Sequence, residues 1–313
     1  MTLRLGYFPN ITHATALVGV ESGIFAEALG DEVTLETQTF NAGPRTVEAL
    51  FARALDATYI GPNPAINAFV KSKGEAVRIV SGATAGGAFL VVRPDIARPA
   101  DLKGTKLATP QLGGTQDVAL RAWLGNNGLR ADTSGGGDVS ILPQENGQTL
   151  DAFKAGTIDG AWVPEPWATR LIQEGGARVL VDERDLWPEG WYVTTHLIVR
   201  TKFLDDHPAV VQRLLEGQVK ANAFINANPA EAQKLANDQI EKITQKRVKE
   251  EVLTASWSNL TFTNDPIAAS LHGSADAAHS VGLLDKVDLK GIYDLDLLNK
   301  VLAAAGDSEV QGL

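Results

Sequence analysis

The sequence contains no cysteine. That excludes disulfides, thiolate nucleophiles and cysteine-based metal sites, and it leaves the compartment open. Apolar runs are short, and none approaches the roughly 20 residues that a membrane-crossing helix requires. Positive charge is the minority sign, with 28 Lys and Arg against 38 Asp and Glu and a formal net charge of -10. So acidic a chain argues against nucleic acid as a partner, because phosphate contacts need clustered Lys and Arg. A small anionic ligand stays compatible, since a local site can oppose the global field. The Walker loop, G-x-S-x-G, H-E-x-x-H and the dinucleotide glycine fingerprint are all missing, so no cofactor is expected. The five histidines, His13, His196, His207, His272 and His279, are too scattered to form a metal constellation. The 20- to 50-residue periods of solenoids are also absent.

What is present is ample material for a core. Of 313 residues, 44% are hydrophobic, enough for one large or two ordinary domains. The spacing predicts strands over 3–7, 33–40, 57–60 and 77–81, separated by helices over 14–22, 44–54 and 63–71. A second series has strands over 106–109, 139–142, 160–163 and 179–181, with helices over 115–126, 147–154 and 166–174. Strands alternating with helices imply parallel βαβ units. The two series repeat in register: Asp56 precedes the third strand of one as Asp159 does in the other, 103 residues on. At that offset Leu5-Gly6 falls on Ala108-Thr109 and Thr12 on Thr115. A duplicated pair of doubly wound α/β lobes accounts for this.

Extended segments 89–92 and 196–199 flank the second series and read as two strand crossovers, hence a hinge bending near Phe89 and Ile198. The lobes are then 1–87 with 198–313, and 88–197. From about Lys202 the chain reads as helical. Asp206 caps a helix with Pro208 in its first turn that runs to about Asn226, and helices over 229–238 and 245–255 follow, packed on or around the first lobe.

Ligands of open parallel sheets bind at the carboxyl ends of strands, where helix N-termini offer unpaired N–H groups. Candidate loops there are Phe8 with Asn10, Ile11, Thr12 and His13; Ala42-Gly43; Gly61, Pro62 and Asn63; and Gly113, Gly114, Thr115 and Gln116. None carries a basic side chain at its centre, and backbone amides at helix starts bind oxyanions without a counter-ion. Gly113-Gly114-Thr115 reads as an oxyanion nest, or as an ordinary turn with a Thr cap. His13 is either a capping residue or a ligand donor. Trp162, Trp167, Trp187, Trp191 and Tyr192 cluster in sequence; they are core, or they wall the apolar part of a ligand, with Trp162 the preferred wall. Glu165, between two prolines, is either a ligand contact or a brace at a helix start.

The ordered set Leu3-Arg4-Leu5-Gly6-Tyr7, Asn41-Ala42-Gly43-Pro44, Asp56-Ala57 with Gly61, Asp101-Leu102-Lys103-Gly104 and 159–167 (DGAWVPEPW) resembles the nitrate/sulfonate/taurine-type substrate-binding proteins of ABC importers, most of all the aliphatic sulfonate binders. The resemblance spans nearly all of 3–300. It implies a type II periplasmic-binding-protein fold, with two doubly wound lobes joined by a two-strand hinge. It also implies a monomer exported to the periplasm or lipid-anchored at the cell surface, closure on a small anion such as an alkanesulfonate or taurine, and delivery to a membrane permease with its ATPase. Carried over by position, the ligand loops are those above together with Trp162 and Glu165, and Tyr192 joins them. An export signal would then have been removed; otherwise the chain is cytoplasmic. The rivals are an enzyme on the same scaffold, of the menaquinone, porphyrin or pyrimidine-precursor type, a nitrate or bicarbonate binder, a binder of another small polar solute, or a sensor domain. The cysteine-rich stretch of the pyrimidine-precursor relatives is missing.

Overall fold

The run Ala57–Ile60 is buried at every position, so it must be covered on both faces, as the middle strand of a doubly wound sheet is. The computed structural model, which describes residues 1–313, builds two such sheets. The first part of the chain runs β1 (Thr2–Tyr7), α1 (Ala14–Glu21), α2 (Ile24–Leu29), β2 (Thr34–Thr39), α3 (Gly43–Phe51), β3 (Ala57–Ile60), α4 (Pro62–Lys71) and β4 (Val77–Gly86). The second runs β5 (Ala88–Val92), β6 (Lys106–Thr109), α5 (Thr115–Asn126), β7 (Ser140–Pro143), α6 (Asn146–Lys154), β8 (Gly160–Pro164), α7 (Trp167–Gly175) and β9 (Arg178–Asp182). The chain then returns through β10 (Val193–Arg200), α8 (Thr201–Asp206), α9 (Pro208–Ala227), α10 (Pro229–Thr244), α11 (Glu250–Trp257), β11 (Leu260–Phe262), α12 (Ala268–Ser280) and α13 (Asp296–Ala305).

Strand order is β11-β4-β10-β3-β1-β2 in one sheet and β7-β6-β8-β5-β9 in the other. Within each, the first three strands of the local series are parallel. An antiparallel strand then sits between the third and fourth: β10 between β3 and β4, and β5 between β8 and β9. Each inserted strand is one of the expected crossovers, and it runs against the four strands of its local series. Helices cover both faces of both sheets, giving two core clusters per lobe. The 103-residue offset holds without slippage for α3 and α6, each nine residues long.

The acidic turn before each third strand is a register pin. Asp56 accepts the backbone N–H of Arg4 at 3.0 Å and the Arg4 Nε at 2.8 Å, and Asp159 accepts the backbone N–H of Lys106 at 2.8 Å. The crossover arginines complete the motif. Arg200, closing β10, reaches Asp56 at 2.7 Å and donates to the Leu55 carbonyl. Arg93, just past β5, lies 3.9 Å from Asp159 and donates to the Ile158 carbonyl. Burial alone would raise the Asp56 carboxyl, but hydrogen bonds from Arg4 and Arg200 outweigh it and hold the group below its ordinary value.

The crossings lie elsewhere than expected. The first is Gly86-Gly87, both at φ +75°, a conformation that favours glycine. The second spans 183–192, since His196, Leu197 and Ile198 are already paired with β3 in the first sheet. Phe89 is likewise fixed in the second sheet against Val163 and Asp182, so neither Phe89 nor Ile198 is a soft point, and the 197/198 boundary moves upstream. Tyr192 is fully engaged in tying the crossings together: its hydroxyl accepts the Ala88 N–H at 3.2 Å and its ring stacks on Trp187. Trp162 turns into the core of the second lobe, fully buried against Trp123, and its Nε1 donates to Glu183 at 2.8 Å. Asp206 caps nothing; it pairs with Lys202, and His207 occupies the cap position of α9. The helix expected over 229–238 runs on to Thr244, and the next begins at Glu250.

Two outcomes follow. Asp56→Ala strands two guanidinium groups and costs about 3 kcal/mol, whereas Asp159→Ala, whose side chain is 34% exposed, costs about 1 kcal/mol; urea unfolding of both variants measures the difference, and equal costs would refute the pin. Burial raises the Glu183 carboxyl from 4.5 to about 7, with the indole hydrogen bonds pulling the other way. The folded state therefore holds an extra proton between those values, and the stability this contributes is full below pH 4.5 and lost as pH rises through 7. Glu183→Gln removes that loss, so variant-minus-parent stability climbs across this window; a flat difference in denaturation curves recorded from pH 4.5 to 7.5 would contradict it.

Candidate functional site

The loops that leave the carboxyl ends of β1, β2, β3, β6, β7 and β8 converge between the two sheets on one cavity of about 40 Å³. Ten of the residues expected from sequence line it: Phe8, Asn10, Thr12, His13, Ala42, Gly43, Gly61, Gly114, Thr115 and Gln116. Asn41, Pro64, Pro110, Gln111, Asn146, Pro164, Thr194 and Thr195 complete the wall. The internal repeat is written into this lining. Phe8 and Gln111, Thr12 and Thr115, His13 and Gln116, Gly43 and Asn146, and Gly61 and Pro164 are each 103 residues apart and all touch the same space. Asn146 was therefore readable from the offset alone, as the counterpart of Gly43. Thr194 and Thr195 were not, because they lie on the crossover strand.

No Lys, Arg, Asp or Glu lines the cavity. Its polarity comes from amides, hydroxyls and helix starts: α3, α4, α5 and α6 all begin at or beside it. The first N–H groups of a helix have no acceptor one turn back and carry partial positive charge. At α5 this leaves Thr115 and Gln116; the Gly114 N–H is taken by the Gln111 carbonyl at 3.0 Å. Behind them Asp117 and Arg121 form a buried pair at 3.0 Å, so this end of the helix adds no uncompensated charge. His13 is the single titratable side chain in the wall. Burial lowers it to about 3, its ring stacks 4.3 Å from Phe8, and its Nδ1 accepts the Phe8 N–H. It is thus neutral at ordinary pH, with the proton on Nε2 free to be donated.

Seven expected residues do not reach the cavity wall. Ile11 belongs to the first lobe's core and is fully buried. Pro62 is buried in the first turn of α4, and Asn63 donates to the Ser274 carbonyl at 2.8 Å, tying α4 to α12. Gly113 takes φ +74° and gives its N–H to the Asp117 carboxylate, which closes the expected nest. Trp162 and Tyr192 are engaged as described. Glu165 is the brace rather than the ligand contact: it accepts the Thr169 N–H at 3.0 Å and hydroxyl at 2.8 Å at the start of α7, and Asn259 at 2.7 Å.

That last bond spans the lobes, and others do too. Trp167 Nε1 donates to Asn10 Oδ1 at 2.9 Å, and Arg45 faces Glu145 at 3.9 Å across the rim. Gly61 lies so close to Thr115 that a Cβ on it would overlap the threonine hydroxyl. The lobes are closed on the cavity, and 40 Å³ holds about three waters.

The family model described as "NMT1-like family" matches residues 1–238. A "Putative aliphatic sulfonates-binding protein" of Bacillus subtilis (strain 168) is 28% identical over 312 residues, covering 96% of this chain and 88% of that one. The "Taurine-binding periplasmic protein" of Escherichia coli (strain K12) is 27% identical over 214 residues, covering 68% and 64%. Among solved structures, the alkanesulfonate-binding protein SsuA of Xanthomonas axonopodis pv. citri bound to MOPS superposes with a TM-score of 0.74 at 19% identity, covering 91% and 94%. The periplasmic nitrate-binding protein NrtA of Synechocystis PCC 6803 does so with 0.78 at 16%, covering 97% and 88%. A cysteine-to-serine mutant of DSZB in complex with biphenyl-2-sulfinic acid gives 0.68 at 18%, covering 97% and 99%. The fold is that of the SsuA and NrtA binding proteins.

The Gly61–Thr115 approach yields a test. Gly61 has φ -71° and ψ 162°, which alanine adopts freely, so Gly61→Ala leaves the fold intact and opposes closure only. Calorimetric affinity for a bound solute should fall by about 1–3 kcal/mol, the usual cost of overpacking, and because the clash is with the Thr115 hydroxyl, Gly61→Ala with Thr115→Ala should lose less than the sum of the two single variants. Unaltered affinity in the single variant would mean that this contact does not belong to the bound state.

Proposed function

The chain belongs to the NMT1-like family, and on that premise we propose that it is the solute-binding component of an ABC importer, acting outside the cytoplasmic membrane. It captures a small organic anion of the aliphatic sulfonate or taurine kind by lobe closure and delivers it to the permease. The observation that carries this reading is the closed, charge-free cavity walled by helix starts from both lobes. Room for about three waters matches a three-oxygen head group. Such a head is held by N–H and O–H donors alone, and because donors come from both lobes, binding shifts the open–closed equilibrium toward the closed state.

The DSZB likeness raises the enzyme alternative. The wall offers no carboxylate and no cysteine, and its one histidine has Nδ1 occupied by the Phe8 N–H and a proton on Nε2, so no free base stands beside the threonine hydroxyls. This supports a binder rather than a catalyst. Helix starts aimed into the cavity, and relatives described as binding aliphatic sulfonates and taurine, favour an anion over a neutral polar solute, and a solute panel separates the two.

In a thermal-shift panel of alkanesulfonates, taurine, nitrate, bicarbonate and neutral polyols, an anion at 100 times its dissociation constant adds about 2.7 kcal/mol of stability; a response to polyols alone would overturn the anion. Thr12→Ala and Thr115→Ala should each weaken the responding anion by about 1.5–3 kcal/mol, the worth of one hydrogen bond to a charged group. Sulfonate affinity should stay constant from pH 5 to pH 9, because His13 gains its proton only near pH 3. A steep fall in calorimetric affinity between pH 6 and pH 8 would point to a charged histidine in the site.

A further inference from the structure

Next to the head-group cavity, and sharing Asn10, Asn41 and Asn146 with it, lies a second and far larger chamber of about 500 Å³. It opens between the starts of α6 and α7 on one lobe and the end of α10 on the other. It is present with the lobes closed, and the three asparagines form a wall common to both spaces. Its flat wall is a layered pair: the Arg170 guanidinium sits 4.7 Å over the Trp167 ring and is held in plane by Glu174 at 2.8 Å. The Trp167 indole is fixed in turn by its bond to Asn10, a residue of the inner cavity. On the opposite side lie Lys246 and Arg247, the latter paired with Asp238 at 2.6 Å and Glu241 at 2.9 Å, and Glu145 also lines the chamber.

We propose that this chamber is a second subsite, which takes a planar aromatic tail carried by a sulfonate-type anion, so that among anions sharing one head group an aryl-bearing member is preferred over a short-chain one. The inference rests on the reading of the inner cavity as the head-group site. Size makes the division: the inner cavity has space for an oxyanion head and no more, and the body of any organic solute must leave through the wall of shared asparagines. The indole–guanidinium layer suits a flat π surface, whose face packs on either member. Because the indole N–H bridges to Asn10, a ring settled there also stabilises the contact between lobes.

Calorimetry on the full chain with paired probes, methanesulfonate against benzenesulfonate and acetate against benzoate, tests this. The aryl member of a binding pair should bind at least about tenfold more tightly. Trp167→Phe keeps a ring but loses the hydrogen bond to Asn10; it should weaken both members together and preserve the ratio. Trp167→Leu should bring the ratio close to one. Equal binding of the two members in the parent, or an unchanged ratio in Trp167→Leu, overturns the aromatic subsite while leaving the head-group site standing. If no anion of either size binds, the head-group reading falls and the subsite with it.

Discussion

One carboxylate at the foot of each lobe's central strand ties that strand to its neighbours, tightly at buried Asp56 and more loosely at Asp159. Asp56 and Asp159 take the N–H of the neighbouring first strand and face the arginine that ends the crossover strand. Three strands are thereby set in register from the end opposite the cleft. A slip of one residue in β1 or β6 would turn every side chain to the other face and carry Thr12 or Thr115 away from the cavity. The alignment of loops at the top follows from pins at the bottom. Because the crossover strand of each sheet arrives from the other lobe, the same pin holds its far end: β5 and β10 enter at Ala88 and Val193 and are held at Arg93 and Arg200, so the crossings between lobes are left to Gly86-Gly87 and 183–192.

The cavity inherits the duplication. Its paired residues at a 103-residue spacing are similar in position but not in chemistry: Gly43 faces Asn146, His13 faces Gln116, and Phe8 faces Gln111. The first lobe contributes a stacked, neutral histidine, and the second contributes amides. Neither contributes a formal charge, and a buried charge facing an anion would bring its own desolvation cost. Neutral dipoles at helix starts avoid that cost and are weakly affected by pH, and under the proposed function they hold an anion only when closure brings both sets together.

Much of this was legible in the sequence. The alternation of short apolar runs with helical patterns, and the recurrence of Asp56-Ala57 as Asp159-Gly160, located the two lobes and placed ten cavity residues. Local pattern failed where an outcome depends on what lies across space. The crossover strands look like any buried strand, so their reversed direction was hidden. Trp162 and Tyr192 carry one polar atom each, and the same composition suits a ligand wall or a core with a satisfied donor; Glu183 and the Ala88 N–H, distant in sequence, decide for the core. Gly113 resembled an open nest because nothing in its neighbourhood announced that Asp117 turns back to accept its N–H. The pairing of Arg93 and Arg200 with the two aspartates had a signal, a basic residue at the end of each crossover, which becomes readable only once those strands are known to enter the opposite sheet.

The central claim is a clamp whose lobes close on an anion. Since the chain has no native cysteine, Glu48→Cys and Asp151→Cys, exposed equivalents on α3 and α6, can carry a pair of spin labels without background. Dipolar spectroscopy should report a broad, longer distance distribution without solute and a single shorter one with a saturating sulfonate. Identical distributions in the presence and absence of a sulfonate that calorimetry shows to be bound would contradict the account.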